Sequence, residues 1–270
     1  MEHHATLVLR NRSIAKDYYE LLFAWPEGLE PPRPGQFLTI RIADTAMPLL
    51  RRPFAVSGYD SRSKTAGIIY QRVGPATRML AAADAGDMLD MLIPLGNWFP
   101  EPEPDATPVL VAGGIGMGPI FFFAQMLRSA GRRSPEQRAE NREPVLVLGA
   151  RNVAYLPTED VLEGLEPVIC TDDGSRGFAG TVVDYLKSAG VGKEAEAVLY
   201  ACGPNPMLEA LAAFAAERKL PLWVSMEQTM GCAVGACMGC AIPVHGPARY
   251  ARVCTEGPVF DAKEIVWTSR

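Results

Sequence analysis

The sequence predicts three units in series: a small β-barrel, a doubly wound α/β domain and a short C-terminal cysteine module. Three observations carry this expectation. Short apolar runs separated by Pro, Gly and Asp clusters fill the first hundred residues. From residue 109 onward, strand-like runs alternate with helical patterns, as in a parallel sheet covered by helices. Cys232, Cys237, Cys240 and Cys254 then give C-x4-C-x2-C and one further cysteine. The expected boundaries are 1–103, 104–225 and 226–270. At 270 residues and 48% hydrophobic, the chain is long enough to bury more than one core.

In the first unit, strand candidates lie at 6–9, 19–24, 36–42, 54–57 and 67–73. Thr77 precedes a helical pattern at 78–83, where it is expected to act as an N-cap. Residues 100–108 contain E-P-E-P-D-A-T-P, an acidic, proline-rich linker that continues neither strand nor helix.

The second unit opens with a strand at 109–112. It runs into Gly113, Gly114, Gly116 and Gly118, then Pro119 and a helical stretch at 120–129. Further strands are expected at 145–149, 168–171, 198–201 and 222–225, with helices at 182–188 and 207–218, and a polar connection at 134–143. Small residues after the first strand let a pyrophosphate approach the backbone at a helix N-terminus. Glycines in such a turn also serve packing of helix on sheet, and this one does not follow G-x-G-x-x-G. The turn Cys202-Gly203-Pro204-Asn205-Pro206-Met207 follows the 198–201 strand and could face the same crevice, since ligands of open α/β sheets sit at the carboxyl ends of strands.

The cysteine run has the ligand spacing of a plant-type [2Fe-2S] cluster, which needs four thiolates converging on a small volume. Gly231, Gly235 and Gly239 would let the loop adopt positive φ and aim N–H groups at the sulfurs. Structural zinc sites usually pair two short knuckles, whereas Cys254 has no close partner in sequence. Six cysteines in a chain of this length do not make a dense disulfide framework.

Composition narrows the function classes. The net charge of −5, with no Lys or Arg block longer than a pair, argues against nucleic acid as partner. No secretory pattern opens the chain and no apolar run reaches the ~18 residues that span a bilayer. A cytoplasmic enzyme subunit is expected.

G-G-I-G-M-G-P and C-G-P-N-P-M, in that order and after a β-rich unit, resemble the ferredoxin reductase superfamily. With the cysteine run, the whole chain is similar to the electron-transfer subunits of class B dihydroorotate dehydrogenases. The resemblance implies FAD in the barrel and NAD(H) in the α/β domain. It implies that Arg52, Pro53, Phe54 and Ala55 bind flavin, with Ala55 in place of the family's usual serine unless Ser57 serves instead. It extends the flavin site to Ile69, Tyr70 and Gln71, and to the turn Gly74-Pro75-Ala76-Thr77, similar to the family's G-x-G-T. Gly113, Gly114, Gly116, Cys202, Gly203 and Pro204 would hold the pyridine nucleotide. Asp172 and Asp173 would accept the ribose hydroxyls and favour NAD over NADP, unless Arg151 and Arg176 point inward. No catalytic residue is assigned. The function implied is a converter between two-electron and one-electron transfer, joined in a heterotetramer, two of each subunit, to an FMN subunit that oxidises dihydroorotate to orotate. The alternatives are a reductase subunit serving a hydrogenase, transhydrogenase or glutamate synthase, and, from a different class, a zinc-stabilised binding module.

Overall fold

The computed structural model describes residues 1–43, 47–130, 143–192 and 196–267. The polar connection expected at 134–143 falls almost wholly outside them.

Six strands close the barrel: β1 (Glu2–Ala15), β2 (Tyr18–Ala24), β3 (Phe37–Arg41), β4 (Arg52–Asp60), β5 (Thr65–Gln71) and β6 (Met88–Leu95), in the order β1-β2-β5-β4-β3-β6. Leu21, Phe23, Leu38, Ile40, Val56, Ile68, Tyr70, Met91 and Ile93 fill its interior. The sequence reading missed β6. Its residues MLDMLIPL alternate in burial but not in polarity, because both faces are apolar except at Asp90. β1 extends well past the expected 6–9. Its polar stretch stays in the strand because Arg10 and Arg12 both pair with Glu20 of β2, at 2.7 and 2.9 Å. The short helix α1 (Pro75–Leu80) begins earlier than predicted, so Thr77 is not its N-cap. Thr77 lies one turn in, where its Oγ1 accepts the N–H groups of Val73 and Gly74 and closes the preceding turn.

The α/β unit contributes β7 (Thr107–Gly113), α2 (Met117–Ala130), β8 (Val145–Ala150), α3 (Glu159–Leu162), β9 (Val168–Thr171), β10 (Phe178–Ala179), α4 (Val182–Ser188), β11 (Ala197–Cys202), α5 (Asn205–Arg218) and β12 (Leu222–Ser225). The linker ends earlier than expected, with Pro108 already the second residue of β7. The last segment adds a small hairpin, β13 (Ala241–Pro243) with β14 (Tyr250–Arg252), and β15 (Val259–Asp261). The large sheet runs β10-β9-β8-β7-β11-β12-β15, parallel except for the antiparallel β15. Strand order reverses between β7 and β11, which makes the gap above them the topological switch point.

Each face of this sheet carries a core. On one, Ile120, Phe121 and Phe123 of α2 pack with Ile14, Tyr18 and Ile69, so the barrel docks on α2. On the other, Leu208, Leu211 and Phe214 of α5 share a core with Val253, Phe260 and the buried thiols Cys240 and Cys254. The C-terminal segment is thereby fixed to the α/β sheet by burial and by strand pairing.

Candidate functional site

The four cysteines of the C-terminal run meet in one loop region. All are free thiols, with Cys240 and Cys254 buried and Cys237 exposed. Cys232 Sγ accepts the N–H groups of Val234 at 3.5 Å and Cys237 at 3.4 Å, and Cys237 Sγ accepts that of Gly239 at 3.4 Å. Those backbone donors, Val234 first, bring the Cys232 thiol down to about 7. Burial pushes Cys254 up to about 11, and its side chain contacts Cys240. Among the described residues, no three His, Cys, Asp or Glu side chains close on a single ion. Side-chain interactions link Cys232 to Cys237 and Cys254 to Cys240, and Cys254 also lies within electrostatic reach of Cys232. Four thiols gathered in this way, with N–H groups already directed at sulfur, fit a two-iron cluster.

The glycines of this loop work differently from the expectation. Only Gly235 has positive φ, at +81°, while Ala233 and Met238 supply the other left-handed positions at 59° and 57°. A non-glycine residue there carries backbone strain, which accumulates at functional sites. Gly231 and Gly239 are small for another reason: a Cβ on either would lie 3.3 or 3.4 Å from Cys237 Sγ. Arg252 braces the loop. Its Nη1 donates to the Gly235 carbonyl at 2.9 Å and its Nε to Glu256 at 3.0 Å, and this pairing holds the Glu256 carboxyl down to about 2.

A second candidate site lies at the switch point, where the carboxyl ends of β7, β11 and β12 are in register through Ala112, Cys202 and Ser225. The glycines predicted here are explained first by packing. A Cβ on Gly116 would stand 2.1 Å from the Cys202 carbonyl oxygen, one on Gly113 2.3 Å from Met207 Sδ, and one on Gly203 2.5 Å from Met207 Cε. Gly114 has φ +53° and sits beside the Tyr18 hydroxyl. The β7–α2 and β11–α5 turns therefore touch, with Pro204 capping α5. Sequence reasoning missed Glu227, just beyond β12. It keeps solvent access, and partial burial raises its carboxyl. Burial pushes the Cys202 thiol up to about 12, and Glu227 adds to that. The position after a strand end at the switch point was the available signal.

At the far side of the sheet, the loop after β9 carries the two expected carboxylates. Asp173 accepts the Ser175 N–H at 2.9 Å and so closes its own turn. The Asp172 side chain makes no hydrogen bond or ion pair among the described residues. Arg176 pairs with Glu159 at 2.7 Å, and Arg151 lies over the Tyr155 ring at 5.4 Å. Neither arginine pairs with these carboxylates.

The third group lies on the barrel. Arg51 is held by Asp90 at 2.7 Å, whereas among the described residues Arg52 donates to the carbonyls of Leu50 and Arg51 and to no carboxylate. Along β4, Val56 points into the barrel, while Ala55 and Ser57 lie half-buried. The Ser57 hydroxyl turns toward Gly67 of β5, 3.3 Å from where a Cβ there would be, and lines a groove with Gln125. Tyr70 is 1% exposed, with its ring inside the barrel against Phe54 and Tyr19 and its hydroxyl donating to Asn11. Only its backbone can border a ligand. Ile69 faces α2, and Pro53 and Gln71 are half-buried strand residues. Ala76 is buried within α1. Among the described residues, chain neighbours aside, Gly74 has no atom within 4 Å of a built Cβ, and its φ of −148° is extended, so none of them demands glycine there. A ligand approaching the backbone would.

A profile of the iron-sulfur cluster binding domain of dihydroorotate dehydrogenase B matches residues 227–266. The chain is 40% identical over 263 residues to the dihydroorotate dehydrogenase B (NAD(+)) electron transfer subunit of Geobacillus kaustophilus (strain HTA426), covering 96% of each chain. It is 34% identical over 264 residues to the corresponding subunit of Desulforamulus reducens, covering 96% of this chain and 97% of that one. Among solved structures, an NADH-dependent reduced ferredoxin-NADP oxidoreductase studied for flavin-based electron bifurcation superposes with TM-score 0.82 at 28% identity, over 98% of this chain and 90% of that one. Phthalate dioxygenase reductase shares the fold at TM-score 0.65 and 18% identity, over 90% and 87%.

Proposed function

The chain belongs to the family of dihydroorotate dehydrogenase B electron transfer subunits, and we propose that it moves electrons between NAD(H), FAD and a [2Fe-2S] cluster, to or from a partner FMN subunit that oxidises dihydroorotate to orotate. Nicotinamide exchanges electrons as hydride and an iron-sulfur cluster takes them singly, so a flavin between them supplies both modes. Cys232, Cys237, Cys240 and Cys254 would hold the cluster. Arg52, Pro53, Phe54 and Ala55, the backbone of 69–71 and the Gly74–Thr77 turn would hold FAD. The switch-point turns, Gly113 to Gly116 and Cys202 to Pro204, would seat the nicotinamide end, with Asp172 at the ribose. Residues 1–103, 104–225 and 226–270 serve as the flavin, nucleotide and cluster units.

The observation that carries this reading is the thiol quartet with backbone N–H groups on its exposed sulfurs, in a chain whose three expected sites take up its three units. No unit is left for a pyrimidine pocket, so the dihydroorotate chemistry belongs to the partner. We take the assembly to be two of each subunit. Val234 and Met238, both exposed on the cysteine loop, would form part of the docking face. Purified chain with NAD and dihydroorotate should form no orotate, and addition of the FMN subunit should restore it. Orotate from the isolated chain would refute this division of labour.

The likeness to the NADH-dependent reduced ferredoxin-NADP oxidoreductase favours one second reading, a reductase subunit of such a complex. Failure of the FMN subunit to associate or to restore activity would favour it.

A further inference from the structure

After the cluster loop, the chain leaves Cys254 and runs through 255–258 into β15, the edge of the large sheet. One side chain of the barrel grips this arm. Asn97, just beyond β6, donates through Nδ2 to the carbonyls of Glu256 at 3.0 Å and Val259 at 2.8 Å, and accepts the Val259 N–H on Oδ1 at 2.8 Å. Its own N–H donates to the Gly257 carbonyl at 2.7 Å. The amide thus satisfies both polar groups of Val259 on the open edge of β15, acting as a one-residue strand. Such an edge otherwise presents unpaired donors and acceptors.

The contact is backbone-close on both sides. A Cβ on Gly96 would lie 2.5 Å from Pro258 Cδ, and one on Gly35 2.8 Å from Val259 Cγ2. Met226 N–H donates to the Pro258 carbonyl from the other side, at 2.8 Å. The arm that carries the fourth thiol is therefore clamped between the barrel rim and the end of β12.

We propose that Asn97 is a positioning residue for electron passage: it fixes the Cys254 arm to the barrel and so sets the separation between the flavin site and the cluster. The inference rests on the functional reading above. With the groups bound, NADH would give hydride to the flavin and become NAD+, and the flavin would pass its two electrons on singly through the cluster, which accepts one at a time and would hand the first on to the partner subunit before taking the second. Asn97 bonds to the backbone of 256–259 and to none of the residues assigned to either centre. Its loss should alter the second transfer and spare the first.

The test uses the holoprotein with Asn97→Ala, which removes the three side-chain bonds, and Asn97→Asp, which keeps the acceptor for Val259 N–H but sets an oxygen against two carbonyls. Anaerobic mixing with NADH should show flavin bleaching at the wild-type rate and a clear, selective slowing of cluster reduction. Iron content and the spectrum of the chemically reduced cluster should not change. Amide exchange should rise across 255–260 and stay unchanged across β3. Cluster reduction at the wild-type rate in a variant with intact cofactors overturns the inference alone. So does equal slowing of both phases, or failure of both variants to fold, because a purely structural role predicts those. A wild-type protein without flavin and iron overturns the functional reading and this inference with it.

Discussion

Gly116→Ala separates packing from ligand binding at the switch point. The added Cβ would lie 2.1 Å from the Cys202 carbonyl oxygen, 2.2 Å from its carbonyl carbon and 2.6 Å from Gly203 N, all backbone atoms. Ordinary contact begins near 3.4 Å, so the two turns must part by about 1.3 Å. They follow β7 and β11, which are paired over six residues at the centre of the sheet, and neither can rotate away as a side chain would. Forced overpacking of this kind costs about 3 kcal/mol, the upper part of the usual range. For a chain of this size that is a fall of roughly 6–12 °C in Tm. The assay is thermal unfolding followed by flavin fluorescence and by circular dichroism, beside the KM for NADH. A variant with wild-type Tm that has lost NADH oxidation would refute the reasoning, since the glycine would then be serving the nucleotide alone.

Other substitutions probe the remaining sites. Gly74→Val should leave Tm unchanged, because nothing lies within 4 Å of the new Cβ, yet reduce FAD retention; full flavin occupancy would remove the turn from the site. Arg52→Ala should weaken FAD by about 1.5–3 kcal/mol, the worth of a charge-assisted bond, as read by flavin titration of the apoprotein, while Arg51→Ala should not. Asp172→Ala should narrow the preference for NADH over NADPH and Asp173→Ala should change it less, because Asp173 is occupied by Ser175; the ratio of kcat/KM for the two nucleotides decides this. Cys240→Ser should abolish the cluster, whereas Cys170→Ser, on β9 at the opposite side of the sheet from β12 and β15, should retain iron by metal analysis.

The order of the three units and the cysteine quartet were legible because each rests on local spacing: period in the strands, C-x4-C-x2-C in the loop. The family resemblance added the expectation of flavin segments, which two arginines before a strand would never have suggested. What was hidden depends on the third dimension. β6 shows no polarity alternation because only Asp90 breaks its apolar run. β15 and the small hairpin are three-residue strands, too short for any period. Glycine in a sequence announces small size without its reason, and the reasons differ here: a carbonyl at Gly116, a sulfur at Gly239, empty space at Gly74. Tyr70 sits in a segment implied by the resemblance, but strand alternation sends its ring into the barrel. Asn97 and Glu227 lie in irregular segments, and the groups they act on, the 256–259 arm and Cys202, are distant in sequence.

The central claim is that one chain holds both a flavin and a two-iron cluster and couples them to NADH. Its most direct test is the visible spectrum of anaerobically purified protein with iron, zinc and flavin measured on the same sample. About two irons with acid-labile sulfide, FAD released on denaturation, and bleaching of both chromophores by NADH are the results expected. Zinc in place of iron, or a colourless protein that NADH leaves unchanged, would contradict the claim.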